Sequence, residues 1–156
     1  MKSKIQEWIT SIQAPNQIGK FPVCPFAAKA MASKRVEVNP IENLDNIVWD
    51  VYNVDLESID VSIFYLTEYE QYTSEELQEL MFKLNKLFNI HDKVILENDP
   101  RHPFIINGHT TTFDGCYLIL VQGLDLLNKH AEILKLTDYY SYWTKEQYNE
   151  VVSWRN

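Results

Sequence analysis

A layered α/β sandwich around a small sheet of three or four strands is the fold this chain predicts. Three observations carry that expectation. Some segments place apolar residues at the 3.6-residue period of a helix, others alternate or run continuously apolar as strands do, and the two kinds follow one another along the chain. No stretch has the composition of a linker, so residues 1–156 read as a single domain.

The elements follow in order. Ile5, Trp8, Ile9 and Ile12 share one helical face, and Ala14-Pro15-Asn16 ends that helix. Pro25 opens a short second helix to about Ser33, since proline suits a first helical turn. Lys34 to Asn39 alternates, with Val36 and Val38 on one side, and Pro40 stops it. Leu44, Ile47, Val48 and Val51 mark a helix from near Asn43 to Asn53. Val61 to Leu66 is apolar on both faces, as in a strand covered on both sides. Thr73 with Glu76 forms a capping box, and Leu77, Leu80, Met81, Leu84, Leu87 and Phe88 make the stripe of the helix it opens. Lys93 to Leu96 is a third strand, followed by a long loop over 101–112.

Phe113, Tyr117, Leu120, Leu124, Leu127, Ala131 and Leu134 fit one long helix, which is the expectation taken here. Tyr117 to Val121 taken alone fits a buried strand, with Gly123 as the break. That reading makes a four-stranded, ferredoxin-like α+β sandwich the alternative. Right-handed crossovers make the first three strands parallel. Thr144 with Gln147 caps a terminal helix.

Composition narrows the function classes. A formal charge of −8, spread along the chain, argues against a phosphate-neutralising nucleic-acid surface. The 46% hydrophobic content is enough for a packed core and excludes a disordered chain. No window approaches the ~18 apolar residues of a membrane span. Met1-Lys2-Ser3-Lys4 leads into an amphipathic segment rather than a secretory signal. Two cysteines, Cys24 and Cys116, supply neither a disulfide framework nor a metal knuckle, so a cytoplasmic, reducing setting is expected. No phosphate loop, dinucleotide fingerprint or Gly-x-Ser-x-Gly elbow occurs, and nothing names a cofactor.

Cys24 is the first candidate for chemistry. It stands in Phe21-Pro22-Val23-Cys24-Pro25-Phe26-Ala27, at the expected N-cap of the second helix, where free N–H groups and the helix dipole favour a thiolate. A packed small hydrophobe between Phe21 and Phe26 is the other reading. His102 is the second candidate. In a parallel sheet, sites lie off the C-terminal ends of the strands, which puts Asn39, Glu68, Glu97, Arg101 and His102 on one rim. There His102 acts as a general base and Arg101 as an anion clamp, with Glu97, Glu68 and Asn39 as substrate-binding groups. The aromatic run Tyr139-Tyr140-Ser141-Tyr142-Trp143 reads either as a lid on the core or as a stacking surface. No metal site is expected: Cys24, His102 and His109 lack any ligand spacing.

The Cys24-Pro25-Phe26-Ala27 run, preceded by an amphipathic helix, resembles the start of a bacterial family of uncharacterised proteins with an N-terminal Cys-Pro-Phe-Ala signature. That family's later His-Pro step corresponds to His102-Pro103, while its Asn-Arg-Ser-Pro-Tyr-Pro run is replaced by Gly115-Cys116-Tyr117-Leu118. The resemblance implies the same layout over about residues 4–134 and carries no reaction with it. Two functions follow from these readings. One is a thiol-dependent enzyme or thiol redox protein using Cys24. The other is a non-catalytic acidic interaction or regulatory protein. The corresponding partner is a small molecule or another protein.

Overall fold

The computed structural model describes residues 1–155, and its architecture is α/β. In chain order the strands are β1 (Val36–Ile41), β2 (Val61–Leu66), β3 (Lys93–Asn98), β4 (Ile105–Ile106), β5 (His109–Thr110) and β6 (Tyr117–Gly123). The main sheet has the order β1-β2-β6-β3. β1 and β2 are parallel, and β6 is antiparallel to both of its neighbours. The first three strands therefore point the same way, as the crossover rule requires, but β6 separates β2 from β3.

The single long helix expected over 113–134 does not form. β6 occupies its first half, and the helix α5 spans Leu124–Lys135, with Gly123 as its N-cap. The physical reason is two-sided burial. Tyr117, Leu118, Ile119 and Val121 are all fully buried, which an amphipathic helix cannot achieve and a central strand does. Dense apolar sequence matched both periods, and tertiary pairing decided between them.

Helices cover both faces of the sheet, so the ferredoxin-like alternative, with helices on one face, is not adopted. α1 (Lys2–Ser11) and α2 (Ala27–Ala32) pack through Ile5, Ile9 and Met31 on the face that carries Val38, Ile63 and Leu118. α3 (Ile47–Tyr52) and α4 (Ser74–Phe88) pack through Val51, Leu77, Met81 and Leu84 on the face that carries Phe64, Ile95 and Ile119. A third cluster gathers Ile18, Ile106, Leu134 and Tyr139 from segments far apart in the chain. A terminal helix, α6 (Lys145–Val151), is opened by the Thr144–Gln147 capping box.

Several boundaries differ from the sequence pattern. α3 begins only at Ile47, and Leu87 of the predicted stripe is 48% exposed. β1 continues through Pro40 to Ile41, which an edge strand tolerates because one side of its backbone needs no partner. The 101–112 segment is not structureless. It holds the β4–β5 hairpin, turned by Asn107 and Gly108 at φ 51° and 76°, the left-handed pair that a two-residue turn needs.

β3 is the opposite edge of the sheet, and a side chain closes part of it. The amide of Asn85 on α4 donates to the Ile95 carbonyl at 2.8 Å and accepts from the Ile95 N–H at 2.9 Å. This buried amide stands in for a neighbouring strand. We predict that Asn85→Leu destabilises by roughly 2–5 kcal/mol, since two buried backbone groups lose their partners. Leu84→Ala, at a 2% exposed position, costs about 2–5 kcal/mol through its cavity. Denaturant unfolding measures both. Changes below ~0.5 kcal/mol at both would mean that the α4–β3 seam is not core.

Candidate functional site

A cleft of about 670 Å³ follows the free edge of β3. It wraps the edge, taking Met81 and Phe82 from α4 on one face and Trp8 and Leu120 from the other. Its outer wall comes from the C-terminal segment through Trp143, Glu150 and Trp154. The β4–β5 region adds Phe104 and Ile106. Long-range hydrogen bonds tie these walls together. Tyr139 Oη donates to the Val23 carbonyl at 2.6 Å, and Gln147 Nε2 donates to the Ile105 carbonyl at 2.6 Å.

Of the residues the sequence singled out, Cys24, Glu97 and His102 line this one cleft. Glu97 sits where β3 leaves the cover of Asn85. Tyr117 Oη on β6 donates to Glu97 Oε2 at 2.5 Å. Burial in a largely apolar cleft pushes the Glu97 carboxyl above its usual range. The Tyr117 hydroxyl and His102 oppose the rise, while Asp99 and Glu150 add to it. The Tyr117 hydroxyl is pushed far up by burial and by the charge of Glu97, so it remains a donor.

His102 is held through a serine. Its Nε2 lies 2.9 Å from Ser74 Oγ, and Ser74 Oγ donates to Asp99 Oδ2 at 3.1 Å. A hydroxyl has one proton to give, and Asp99 takes it, so the histidine donates Nε2–H to Ser74. That leaves Nδ1 as the ring nitrogen outside this chain of bonds. Ser74 is the first residue of α4, fixed there by the Thr73–Glu76 capping box.

Arg101 is not an anion clamp. Its Nε and Nη2 grip both oxygens of Asp99 at 2.9 Å, its Nη1 donates to the Tyr72 carbonyl at 2.8 Å, and its guanidinium lies 5.2 Å from the centre of the Tyr69 ring. Burial alone would raise the pKa of Asp99, but the hydrogen bonds from Arg101 and Ser74 outweigh it and hold the carboxylate low. The pair therefore fixes the loop that carries His102. Asn39 lies on β1, at the far edge of the sheet, and Glu68 follows β2. Both are exposed and neither lines the cleft. The strand ends lie level across the sheet, but β6 stands between β2 and β3 and sets Asn39 and Glu68 apart from Glu97 and His102.

Cys24 also departs from its expected setting. The second helix starts at Ala27 with Phe26 as N-cap, not at Pro25, and it is only six residues long. Pro25 falls in the preceding turn, whose Cys24 carbonyl accepts the Ala27 N–H at 3.3 Å. Burial pushes the Cys24 thiol up, against the smaller opposing effect of the Phe26 and Ala27 N–H groups. This setting disfavours the thiolate that a helix N-cap would have favoured.

Ser74, Asp99, Tyr117 and Glu150 take roles that the sequence reading did not assign, while Trp143 belongs to the aromatic run expected as a lid or a stacking surface. The capping box was the one local signal, since it placed Ser74 at a helix start. Among the described residues no group of three or more His, Cys, Asp or Glu side chains converges to hold a metal, and no helix is long and apolar enough to cross a membrane. Compared with protein families, with characterised proteins and with solved structures, the chain shows no match.

Thiol labelling tests the cysteine environments. We expect iodoacetamide to modify Cys24 slowly at neutral pH, with a rate that climbs through a midpoint above the ~8.5 of a free thiol. Cys116, fully buried and with its pKa raised to about 11, should label only on unfolding. A Cys24 midpoint below ~8.5 would restore the thiolate assignment.

Proposed function

We propose that this protein is an enzyme acting on a small organic molecule in the β3 cleft by proton transfer, with Glu97 and His102 as the exchanging groups. The observation that carries this reading is the Glu97 carboxyl. It is a titratable group in an aromatic-lined cleft, fixed by the Tyr117 hydroxyl, with its pKa raised by burial. Groups of that kind suit general acid–base work because they hold a proton at a pH where an ordinary carboxyl has lost it. His102 supports the reading through Nδ1, the ring nitrogen outside its bond to Ser74, oriented by the Ser74–Asp99–Arg101 chain. Cys24 enters as a thiol in the wall, available to pack or to donate a weak hydrogen bond, which ranks a thiol-dependent mechanism below acid–base chemistry.

A second reading, a non-catalytic interaction protein, is favoured by one feature. α3 leaves Trp49 and Tyr52 65% and 63% exposed, in edge contact with one another. Loss of a bound partner on Trp49→Ala, with the cleft untouched, would support it.

Titration of the Glu97 carboxyl carbon by NMR tests the main proposal. The expected midpoint lies above the ~4.3 of a free glutamate, and a midpoint at or below it removes the proton donor. Stability gives an independent check. A carboxyl whose pKa is raised in the fold stabilises fully below its unfolded pKa, and that contribution is lost as pH rises through the folded pKa. Relative to the native chain, Glu97→Gln should therefore gain stability as pH rises from about 4 through the folded midpoint. A constant difference across that window would contradict the buried, raised carboxyl.

A further inference from the structure

Accepting that the β3 cleft is the ligand site, we propose that it selects an organic cation: a protonated amine carried on an aromatic or apolar body. The first ground is the sign of the lining charges. Glu97 and Glu150 face the cleft, and no lysine or arginine lines it. Arg101, on the loop that carries His102, is spent on Asp99 and the Tyr72 carbonyl. The second ground is the walls. Trp8, Phe82, Phe104, Tyr139, Trp143 and Trp154 supply the π faces that attract a cation and also accept an apolar body. Tyr139, Trp143 and Phe104 brace one another, with ring centroids 5.6 Å apart for Phe104–Trp143 and 5.9 Å for Tyr139–Trp143. That side of the cleft is built before any ligand arrives.

The third ground is the edge of the sheet itself. In an antiparallel pair, backbone groups point alternately toward the partner and away from it. Those of Ile95 point away from β6 and are satisfied by Asn85. Glu97, two residues on, turns its N–H and C=O the same way, beyond the reach of that amide. An ammonium entering here meets the Glu97 carbonyl and the Glu97 carboxylate together. Both accept hydrogen bonds, and an ammonium has only donors. A carboxylate ligand would meet the Glu97 carboxylate and carbonyl as repulsion, with only the Glu97 N–H to set against them.

The charged and titratable groups around Glu97 are Tyr117 on β6, Asp99 at the end of β3, His102 in the following loop and Glu150 on α6. Asp99 is neutralised by Arg101 and Tyr117 stays protonated, which leaves Glu97, with Glu150 and His102 beside it, as the charges that a cation senses. Binding should tighten as pH rises through the Glu97 midpoint.

The test uses three probes of one shape: phenethylammonium, phenethyl alcohol and hydrocinnamate. Each is titrated into the full-length protein and followed by the NMR signals of the tryptophan side chains. We expect the ammonium to bind about tenfold tighter than the alcohol, the scale of one charge-assisted hydrogen bond, and the carboxylate weakest. Glu97→Gln keeps an oxygen for Tyr117 and should bring the ammonium level with the alcohol. If that variant fails to give a folded spectrum, Glu150→Gln serves instead, with a roughly threefold loss expected for the ammonium alone. Alcohol or carboxylate binding as tightly as the ammonium overturns the cation class and leaves the cleft a ligand site. No shift with any probe overturns the inference outright. Ammonium binding beside a Glu97 that titrates normally would defeat the proton-transfer reading and leave this one standing.

Discussion

Everything in this fold depends on one buried strand. β6 is paired on both edges, to β2 and to β3, and covered on both faces. Its odd-numbered residues, Tyr117, Ile119 and Val121, meet α3 and α4, while Leu118 meets α1. A strand so enclosed must satisfy every backbone group by pairing, because no water reaches it. β6 thereby holds β3 in place at the edge of the sheet. It also delivers the Tyr117 hydroxyl to Glu97 on the neighbouring strand.

The cleft is a consequence of how the sheet ends. An open strand edge presents unpaired N–H and C=O groups and invites aggregation unless it is covered. At β1 the edge carries Pro40. At β3 the Asn85 amide satisfies Ile95, and the C-terminal segment arches over what remains. The aromatic residues of that segment pack on each other and on Phe104 rather than on the strand, which leaves space between wall and edge. A protective cover and a ligand-sized cleft are therefore the same structure. The long-range bonds from Tyr139 to Val23 and from Gln147 to Ile105 set its width.

Polar groups at the mouth are arranged so that one charge is tied up and another is left free. Asp99 is buried, receives Arg101 bidentately and holds Ser74. Its low pKa and the saturation of Arg101 follow from that one geometry. Glu97 receives a single side-chain hydrogen bond, and burial dominates its ionisation. Two carboxyl groups two residues apart are thus driven in opposite directions.

Local pattern by itself determined most of the elements. The Thr73–Glu76 and Thr144–Gln147 capping boxes, the strand Val61–Leu66 and the face of Ile5 and Ile9 were legible because their signals lie within a few neighbouring residues. Cys24, Glu97 and His102, singled out by position after a strand or beside prolines, line the cleft. Pairing order was not legible. Whether 117–121 is helix or strand turns on contacts with residues some twenty to sixty positions away, and no local period reports them. The same insertion of β6 separated Asn39 and Glu68 from the cleft. Burial, another long-range property, opposes the thiolate expected at Cys24 and raises the pKa of the Glu97 carboxyl. Spacing specified which side chains were available, and only tertiary packing decided which of them share a cleft and which carry a proton there.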